Sequence, residues 1–186
     1  MRSYFMGTPR LGFSTWSDAD RDLAIALWGD ARVTALIGGP FTLAQVGERL
    51  AREIRTQAEL GFQYWPLFRL ADDAHVGCCG LRPVPGRDGV LELGFHLRTE
   101  HWGQGFATES ARAAVGYAFT TIGASALVAG HNPRNTASSR VLQRLGFRYS
   151  HDEFYAPTGL RHPSYELTAD EHRLDHPPTP DGGRKD

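Results

Sequence analysis

The chain has only two cysteines, no surplus of charge and no long apolar run. Cys78 and Cys79 are adjacent, which disfavours a structural disulfide and favours reduced residues within a strand. The net charge of −1 provides no overall field for nucleic acid or an anionic membrane. No stretch approaches the roughly 18 apolar residues of a membrane span, and the N-terminal residues lack the apolar core of a signal peptide. We expect a cytoplasmic protein with neither nucleic acid nor membrane as a partner.

The composition is that of a globular domain. Of the 186 residues, 41% are hydrophobic and 22% are charged, which suits one packed core. The last eleven residues, HPPTPDGGRKD, are polar and rich in proline and glycine. We therefore predict one domain over residues 1–170 and a disordered tail over residues 171–186.

Capping residues and turn residues divide the chain into alternating elements. Ser17 with Asp20, and Thr42 with Gln45, are typical of helix starts, and Gly61 is typical of a helix end. Strands are predicted at 62–70, 74–82, 90–97, 126–130, 147–155 and 164–167, with later helices at 107–122 and 135–145. Pro66 places the first strand at an edge or a bulge. The order predicts an α/β fold with a single mixed, mostly antiparallel central sheet and helices on both faces.

The loop HWGQGFATES, residues 101–110, has glycines two apart before a helix. A P-loop needs a lysine that this loop lacks. A dinucleotide fingerprint fits poorly, because Thr108 stands at the third glycine position and no acid ends the strand ALVAG. Small residues before a helix N-terminus do let backbone N–H groups face a diphosphate. A plain turn remains the alternative.

Two segments, ELGFHLRTEHWGQGFATES and NPRNTASSRVLQRLGF, resemble the GCN5-related N-acetyltransferases, here abbreviated GNAT, and most of all the RimJ/RimL-like branch. The family's loop pattern is Q/R-x-x-G-x-G/A, with Trp102 departing from it at the first position. The resemblance implies the GNAT fold and acetyl transfer from acetyl-CoA to an amine, either a protein N-terminus or a small molecule. It also implies a family that often forms homodimers.

The resemblance assigns acetyl-CoA contacts along the second half of the strand, the glycine loop and the later asparagine motif. The diphosphate is expected at the amides of residues 104–108, and the pantetheine arm beside the strand that ends at Leu97. The assigned residues are Phe95, Leu97, Thr99, Trp102, Gly103, Gln104, Gly105, Phe106, Ala107, Thr108, Asn132, Asn135 and Ser138. No metal is predicted, since the histidines lack metal-ligand spacing.

The catalytic candidates are Glu92, His96 and Ser138. Alternation along residues 90–97 places Glu92 and His96 on one strand face, opposite the leucines. Glu92 matches the position of the family's general base, while His96 is the second choice because imidazole titrates near neutrality. Glu92 as an exposed or ion-paired strand residue stays open.

Ser138 is the candidate proton donor to the leaving thiolate, by the resemblance. Asn135 is equally well explained as the N-cap of its helix. Tyr155 is a weaker candidate for the acid. The amine is expected to enter between the loop at residues 38–40 and the loop at 156–163. A CoA-binding sensor or interaction module without turnover is the alternative function, and a nucleotide-binding oxidoreductase is the third.

Overall fold

The computed structural model describes residues 2–175, which form one eight-stranded sheet with helices on both faces. The strands are β1 Met6–Gly7, β2 Leu11–Phe13, β3 Tyr64–Arg69, β4 Ala74–Pro83, β5 Val90–Leu97, β6 Ala126–Gly130, β7 Arg148–Tyr155 and β8 Leu160–Thr168. The α-helices are α1 Arg21–Trp28, α2 Ala31–Thr34, α3 Leu43–Leu60, α4 Phe106–Tyr117, α5 Thr136–Arg144 and α6 Ala169–Asp175. A π-helical turn, Ala118–Ile122, continues α4.

The strand order is β1-β2-β3-β4-β5-β6-β8-β7, and only the β5–β6 pair is parallel. This confirms the predicted mixed, mostly antiparallel sheet. The strands β1 and β2 were not predicted, because two- and three-residue strands are too short to show alternation. The four-residue helix α2 was not predicted either, for the same reason.

Two hydrophobic clusters cover the two faces of the sheet. The alanines of α4 lie against the leucines of β5 in one cluster, and small side chains let the helix approach the sheet closely. The helices α1 and α3 cover the other face, where Trp28, Val46 and Leu50 pack with Tyr64 and Cys78. The α1/α3 face therefore carries Cys78, and the α4 face carries Cys79.

Local signals located most boundaries well. Both predicted capping boxes form, and Gly61 ends α3 in the left-handed conformation at φ 78°. The predicted irregularity near Pro66 is present as a register shift between Leu67 and Phe68. The strand β5 has the predicted bounds.

The last described helix runs past residue 170, where the predicted domain ends. The helix α6 continues to Asp175, so it overlaps the first residues of the tail predicted from residue 171. Thr168 and Glu171 form a capping arrangement at the start of this helix, in which the Glu171 carboxylate accepts from the Thr168 backbone N–H at 3.0 Å. The remainder of that tail, residues 176–186, lies outside the described residues.

The buried His75 is expected to make the fold acid-sensitive. Its ring packs 5.5 Å from Trp16 and 5.3 Å from Phe68, between ring centroids. Burial, followed by the positive charge of Arg98, lowers the pKa of His75 to about 4. Between pH 6.5 and pH 4 the unfolded chain therefore takes up a proton at this histidine more readily than the folded chain does. The contribution of the neutral His75 to stability is complete above pH 6.5 and is lost as the pH falls to 4.

The unfolding free energy of wild type should fall between pH 7 and pH 4.5. In His75→Phe we expect this fall to be roughly 2–3 kcal/mol smaller. Denaturant unfolding at several pH values measures this difference, whatever the absolute stability of the variant. The exposed His151 supplies the control, since His151→Gln should follow the wild-type curve. Identical pH dependence in wild type and His75→Phe would contradict the assignment.

Candidate active site

The sheet opens between β5 and β6. Their parallel pairing covers only Val90–Glu92 against Ala126–Val128. On its other side, β5 stays paired with β4 as far as Leu97. The second half of β5 therefore presents backbone groups on its β6 side that no neighbouring strand uses. Such an edge can pair with an extended ligand as it would with another strand.

The glycine loop follows β5 and lies at the end of this opening. The carboxyl ends of parallel neighbours meet at the same edge of a sheet, so the segment that follows β6 lies at that edge as well. Gly103 and Gly105 adopt the left-handed φ values of 74° and 83°. Gly105 is the N-cap of α4, and no side chain caps this end of the helix. The loop at residues 102–105 is exposed and leads directly into the N-terminus of α4, which is the positive end of the helix dipole.

Neighbouring side chains hold the glycine loop in place. Arg10 donates to the Gln104 carbonyl oxygen at 3.0 Å and to the Glu109 carboxylate at 2.7 Å. Trp102 donates from its indole nitrogen to the Leu97 carbonyl oxygen at 2.8 Å. The Trp102 backbone N–H donates to the Thr99 carbonyl oxygen at 3.2 Å, whereas the N–H groups of residues 103–105 make no hydrogen bond within residues 2–175. Trp102, which departs from the family's Q/R pattern, thus joins the loop to the end of β5.

The predicted alternation along β5 is confirmed, without a bulge. Leu91, Leu93 and Leu97 belong to the cluster beneath α4, and Phe95 packs against it. His96 pairs with Cys78, which belongs to the opposite cluster. Glu92 and His96 therefore share the α1/α3 face, because their separation along the strand is even.

Glu92 is exposed and is held by one buried hydroxyl group. The Tyr64 hydroxyl donates to Glu92 Oε1 at 3.0 Å. Burial, followed by the negative charge of Glu92, raises the pKa of Tyr64 well above its usual value, so the phenol keeps its proton. A Cβ on Gly94 would collide with the Tyr64 ring, so glycine is needed for this contact. One carboxylate oxygen of Glu92 stays open to solvent.

His96 is poorly suited to accept a proton. The Trp28 indole N–H points at His96 Nδ1 across 3.5 Å, and the Cys78 thiol lies 3.7 Å from the same nitrogen. A neutral ring that accepts at Nδ1 carries its proton on Nε2. Burial, followed by the positive charges of Arg49 and Arg82, also holds the pKa of His96 well below its usual value.

The asparagine motif follows β6, so it lies at the same sheet edge as the glycine loop. Asn135 Oδ1 accepts the Ser138 backbone N–H at 3.1 Å, which makes Asn135 the N-cap of α5. Asn132 Oδ1 accepts the Arg134 N–H at 3.0 Å and forms the preceding turn. Within residues 2–175, the half-buried Ser138 hydroxyl makes no hydrogen bond and is free to act on a ligand.

Comparisons with known proteins agree with this geometry. Residues 10–148 match the sequence model of the acetyltransferase (GNAT) domain. The chain belongs to the GNAT acetyltransferase family. It is 28% identical over 143 residues to an uncharacterized N-acetyltransferase, p20, of Bacillus licheniformis, covering 76% of this chain and 80% of that protein.

Two further comparisons are with proteins whose names state an activity or a bound ligand. FsC-acetyl coenzyme A-N(2)-transacetylase of Aspergillus fumigatus is 30% identical over 157 residues, which cover 76% of this chain and 64% of that protein. The structure of spermidine N-acetyltransferase from Vibrio cholerae with CoA and spermine superposes with a TM-score of 0.74 at 13% identity, over 89% of this chain and 99% of that one. At that identity the superposition shows a shared fold.

The two loops expected to border the acceptor site of this GNAT domain do meet. Gly38, at φ 94°, lies against Pro157, and a Cβ at this glycine would overlap the proline ring. Tyr155, the weaker acid candidate, lies on the exposed edge strand β7 with its ring centroid 4.7 Å from that of His162. Tyr155 thus belongs to the rim formed by the second loop.

Sequence reasoning did not find the polar side chains beneath Glu92. Tyr64 is buried in the core, and its hydroxyl binds Glu92. Arg82 lies 4.0 Å over the Tyr64 ring and forms an ion pair with the buried Glu53. The spacing of Arg49, Glu53 and Gln57, four residues apart on α3, was the available signal, since it places three polar groups on one helix face.

Two negative observations apply to residues 2–175. No three histidine, cysteine, aspartate or glutamate side chains come together there in a way that would hold a metal ion. None of the helices in this part of the chain combines the length and the hydropathy that crossing a bilayer requires.

Proposed function

We propose that the chain is an acetyl-CoA-dependent N-acetyltransferase in which the amine attacks the thioester directly. The observation that carries this proposal is the β5–β6 opening, which joins an unpaired strand edge to an exposed glycine loop at a helix N-terminus. A thioester with an extended arm and a diphosphate fits both features. Glu92 lies where the two strands separate.

The backbone supplies most of the proposed acetyl-CoA site. The N–H groups of residues 104–108 take the diphosphate, for which α4 adds its dipole. The unpaired edge between Leu93 and Leu97 takes the pantetheine arm, beside Phe95, Thr99 and Trp102. A backbone N–H near Leu97 polarises the thioester carbonyl. Asn132 and Asn135 shape the opposite wall, since their oxygens already form the turn and the helix cap.

The proposed chemistry moves one proton at each end of the reaction. Glu92 takes the proton that the attacking amine loses, directly or through water. The amine nitrogen forms a bond to the thioester carbon, and the carbon–sulfur bond breaks. The Ser138 hydroxyl passes a proton to the departing thiolate at the N-terminus of α5 while it takes one from solvent, and Glu92 returns its proton to solvent, so that both side chains end as they began. The helix dipole favours negative charge at this end of α5. No cysteine acts as an acyl carrier, because Cys78 and Cys79 are both buried.

The related proteins support the reaction class. One relative is named for acetyl transfer from acetyl coenzyme A to an N(2) nitrogen, and one structural neighbour holds CoA with a polyamine. The RimJ/RimL-like branch, a cytoplasmic location and a homodimer remain predictions. So does the choice between a protein N-terminus and a small amine as the acceptor.

Calorimetry followed by a turnover assay tests the proposal. We expect acetyl-CoA to bind with a Kd on the order of micromolar, and NAD and ATP to produce no binding heat. Release of the CoA thiol should then require both acetyl-CoA and an amine from a panel of amino acids, polyamines and peptides. Binding without release for any amine would favour the CoA-binding sensor. Absence of acetyl-CoA binding would mean that the glycine loop is a plain turn without a role in binding.

A further inference from the structure

Arg49 is a partly buried cation on the Glu92 side of the sheet whose guanidinium forms no ion pair within residues 2–175. The inward polar face of α3 consists of Arg49, Glu53 and Gln57. Glu53 forms an ion pair with Arg82, and Gln57 accepts the Trp65 indole N–H at 3.0 Å. Arg49 makes neither an ion pair nor a hydrogen bond with any residue in the described part of the chain, and its Nε atom is fully buried.

Aromatic rings hold the faces of the Arg49 guanidinium and leave its edges unused. The guanidinium carbon lies 5.0 Å from the Trp28 ring centroid and 5.6 Å from that of Phe41. Such contacts orient the planar group through its faces, whereas its N–H donors lie in the plane. Partial desolvation of this charge is costly, and Glu53, one turn along α3, offsets the cost only from a distance because it forms its ion pair with Arg82. An anion that approached these donors would relieve that cost, and a planar carboxylate matches their spacing.

Arg49 also lies beside the proposed reaction centre. It stacks on Trp28, whose indole N–H points at His96 on the same β5 face as Glu92. Phe41, its second aromatic neighbour, directly follows the loop that borders the acceptor site. Because Glu53 forms its ion pair with Arg82, this face presents an exposed carboxylate at Glu92 and, at Arg49, a guanidinium that no carboxylate of residues 2–175 pairs with directly.

We infer that the acceptor is a small amino carboxylic acid, whose carboxylate binds Arg49 while its amine faces Glu92. This inference rests on the proposed function and names the substrate class of the same site. A zwitterionic acceptor offers a carboxylate to Arg49 and an amine to Glu92 at once. A polyamine would leave the Arg49 N–H donors unused and would add like charge beside them. Arg49 is then a residue that determines specificity by contact with the acceptor.

Paired acceptors test the inference by kinetics. Each free L-amino acid is compared with its carboxamide, which keeps the amine and the side chain but removes the negative charge. We expect wild type to favour the free acids. Arg49→Gln should lower kcat/KM for the preferred acid roughly 10- to 100-fold, mainly through KM, because charged hydrogen bonds are lost. Arg49→Lys should recover part of the loss, and the exposed Arg55→Gln should behave as wild type.

A binding measurement covers the case in which the panel misses the true acceptor. The Trp28 indole resonance is followed by NMR during titration with N-acetylglycine and with N-acetylglycinamide, which differ in the carboxylate. We expect a shift with the first compound only, retained in Arg55→Gln and lost in Arg49→Gln. Equal responses to both compounds, or no response to the acid, would overturn the inference.

The two proposals fail in distinguishable ways. If the chain binds acetyl-CoA and acetylates carboxamides or polyamines as well as the free acids, the carboxylate site is wrong and the proposed enzyme stands. If the Trp28 resonance responds only to the carboxylate and the chain does not bind acetyl-CoA, the anion site stands and the proposed enzyme is wrong. Unchanged acetyl-CoA affinity in Arg49→Gln shows that the variant is folded.

Discussion

Glu92→Gln is expected to lower kcat/KM for acetyl transfer by about 10²- to 10⁴-fold, the usual contribution of a general base. Glutamine keeps the shape of the side chain and still accepts the hydrogen bond from Tyr64, but it cannot take a proton from the amine. The affinity for acetyl-CoA should not change, because the proposed cofactor contacts come from the backbone of β5 and the glycine loop. Steady-state kinetics and calorimetry on the same preparation measure both quantities.

The control for this experiment is Glu59→Gln, which makes the same chemical change at an exposed position of α3. It should retain wild-type turnover. If Glu92→Gln also retained wild-type turnover, Glu92 would be an exposed strand residue without a catalytic role. The base would then have to be sought elsewhere, although the hydrogen bonds around His96 argue against that residue.

Gly105→Val is expected to weaken acetyl-CoA binding by roughly 100-fold or more, as the loss of one or two charge-assisted hydrogen bonds would do. Gly105 has φ 83°, a conformation that a β-branched residue adopts only with strain. Relief of that strain rotates the peptide groups that face the diphosphate. A Cβ at this position would also lie 3.5 Å from Arg10, which holds the loop through the Gln104 carbonyl oxygen. Calorimetric titration with acetyl-CoA measures the loss.

Gly61→Val is the matched control for this prediction. Gly61 has nearly the same conformation, with φ 78°, and a Cβ there would meet no atom within 4 Å. It ends α3, away from the glycine loop, so its substitution introduces comparable strain without touching the proposed cofactor site. We expect the control to lose stability and to keep its acetyl-CoA affinity. Equal weakening in both variants would mean that the effect is general destabilisation.

The fold could be predicted well where the determining interactions are local. The capping boxes at Ser17 and Thr42 lie within a few residues of the helices they start, and the alternation of β5 is contained in eight residues. The strand β1 and the helix α6 were missed because their two and seven residues are too short for a periodic pattern. The glycine loop was identified through backbone conformations that only glycine adopts readily.

The catalytic side could be predicted only in part. The sequence placed Glu92 and His96 on one face and left the choice of base open. The structure distinguishes them, because Trp28 points its indole N–H at the acceptor nitrogen of His96 while Tyr64 leaves one Glu92 oxygen exposed. It also shows Asn135 as a helix cap, the alternative that the sequence had left open.

By itself, the sequence determined the family, the order of the elements, the glycine loop and the face of β5 that carries Glu92. Each of these depends on residue types at short spacing, which hydrogen bonding and side-chain alternation translate directly into geometry. Only the tertiary structure decided which charges are neutralised. Glu53 reaches Arg82 across 29 positions, while Arg49, one helical turn away, forms no ion pair with any residue in the described part of the chain. Charge pairing is a property of side chains brought together from distant elements, so no local pattern predicts it.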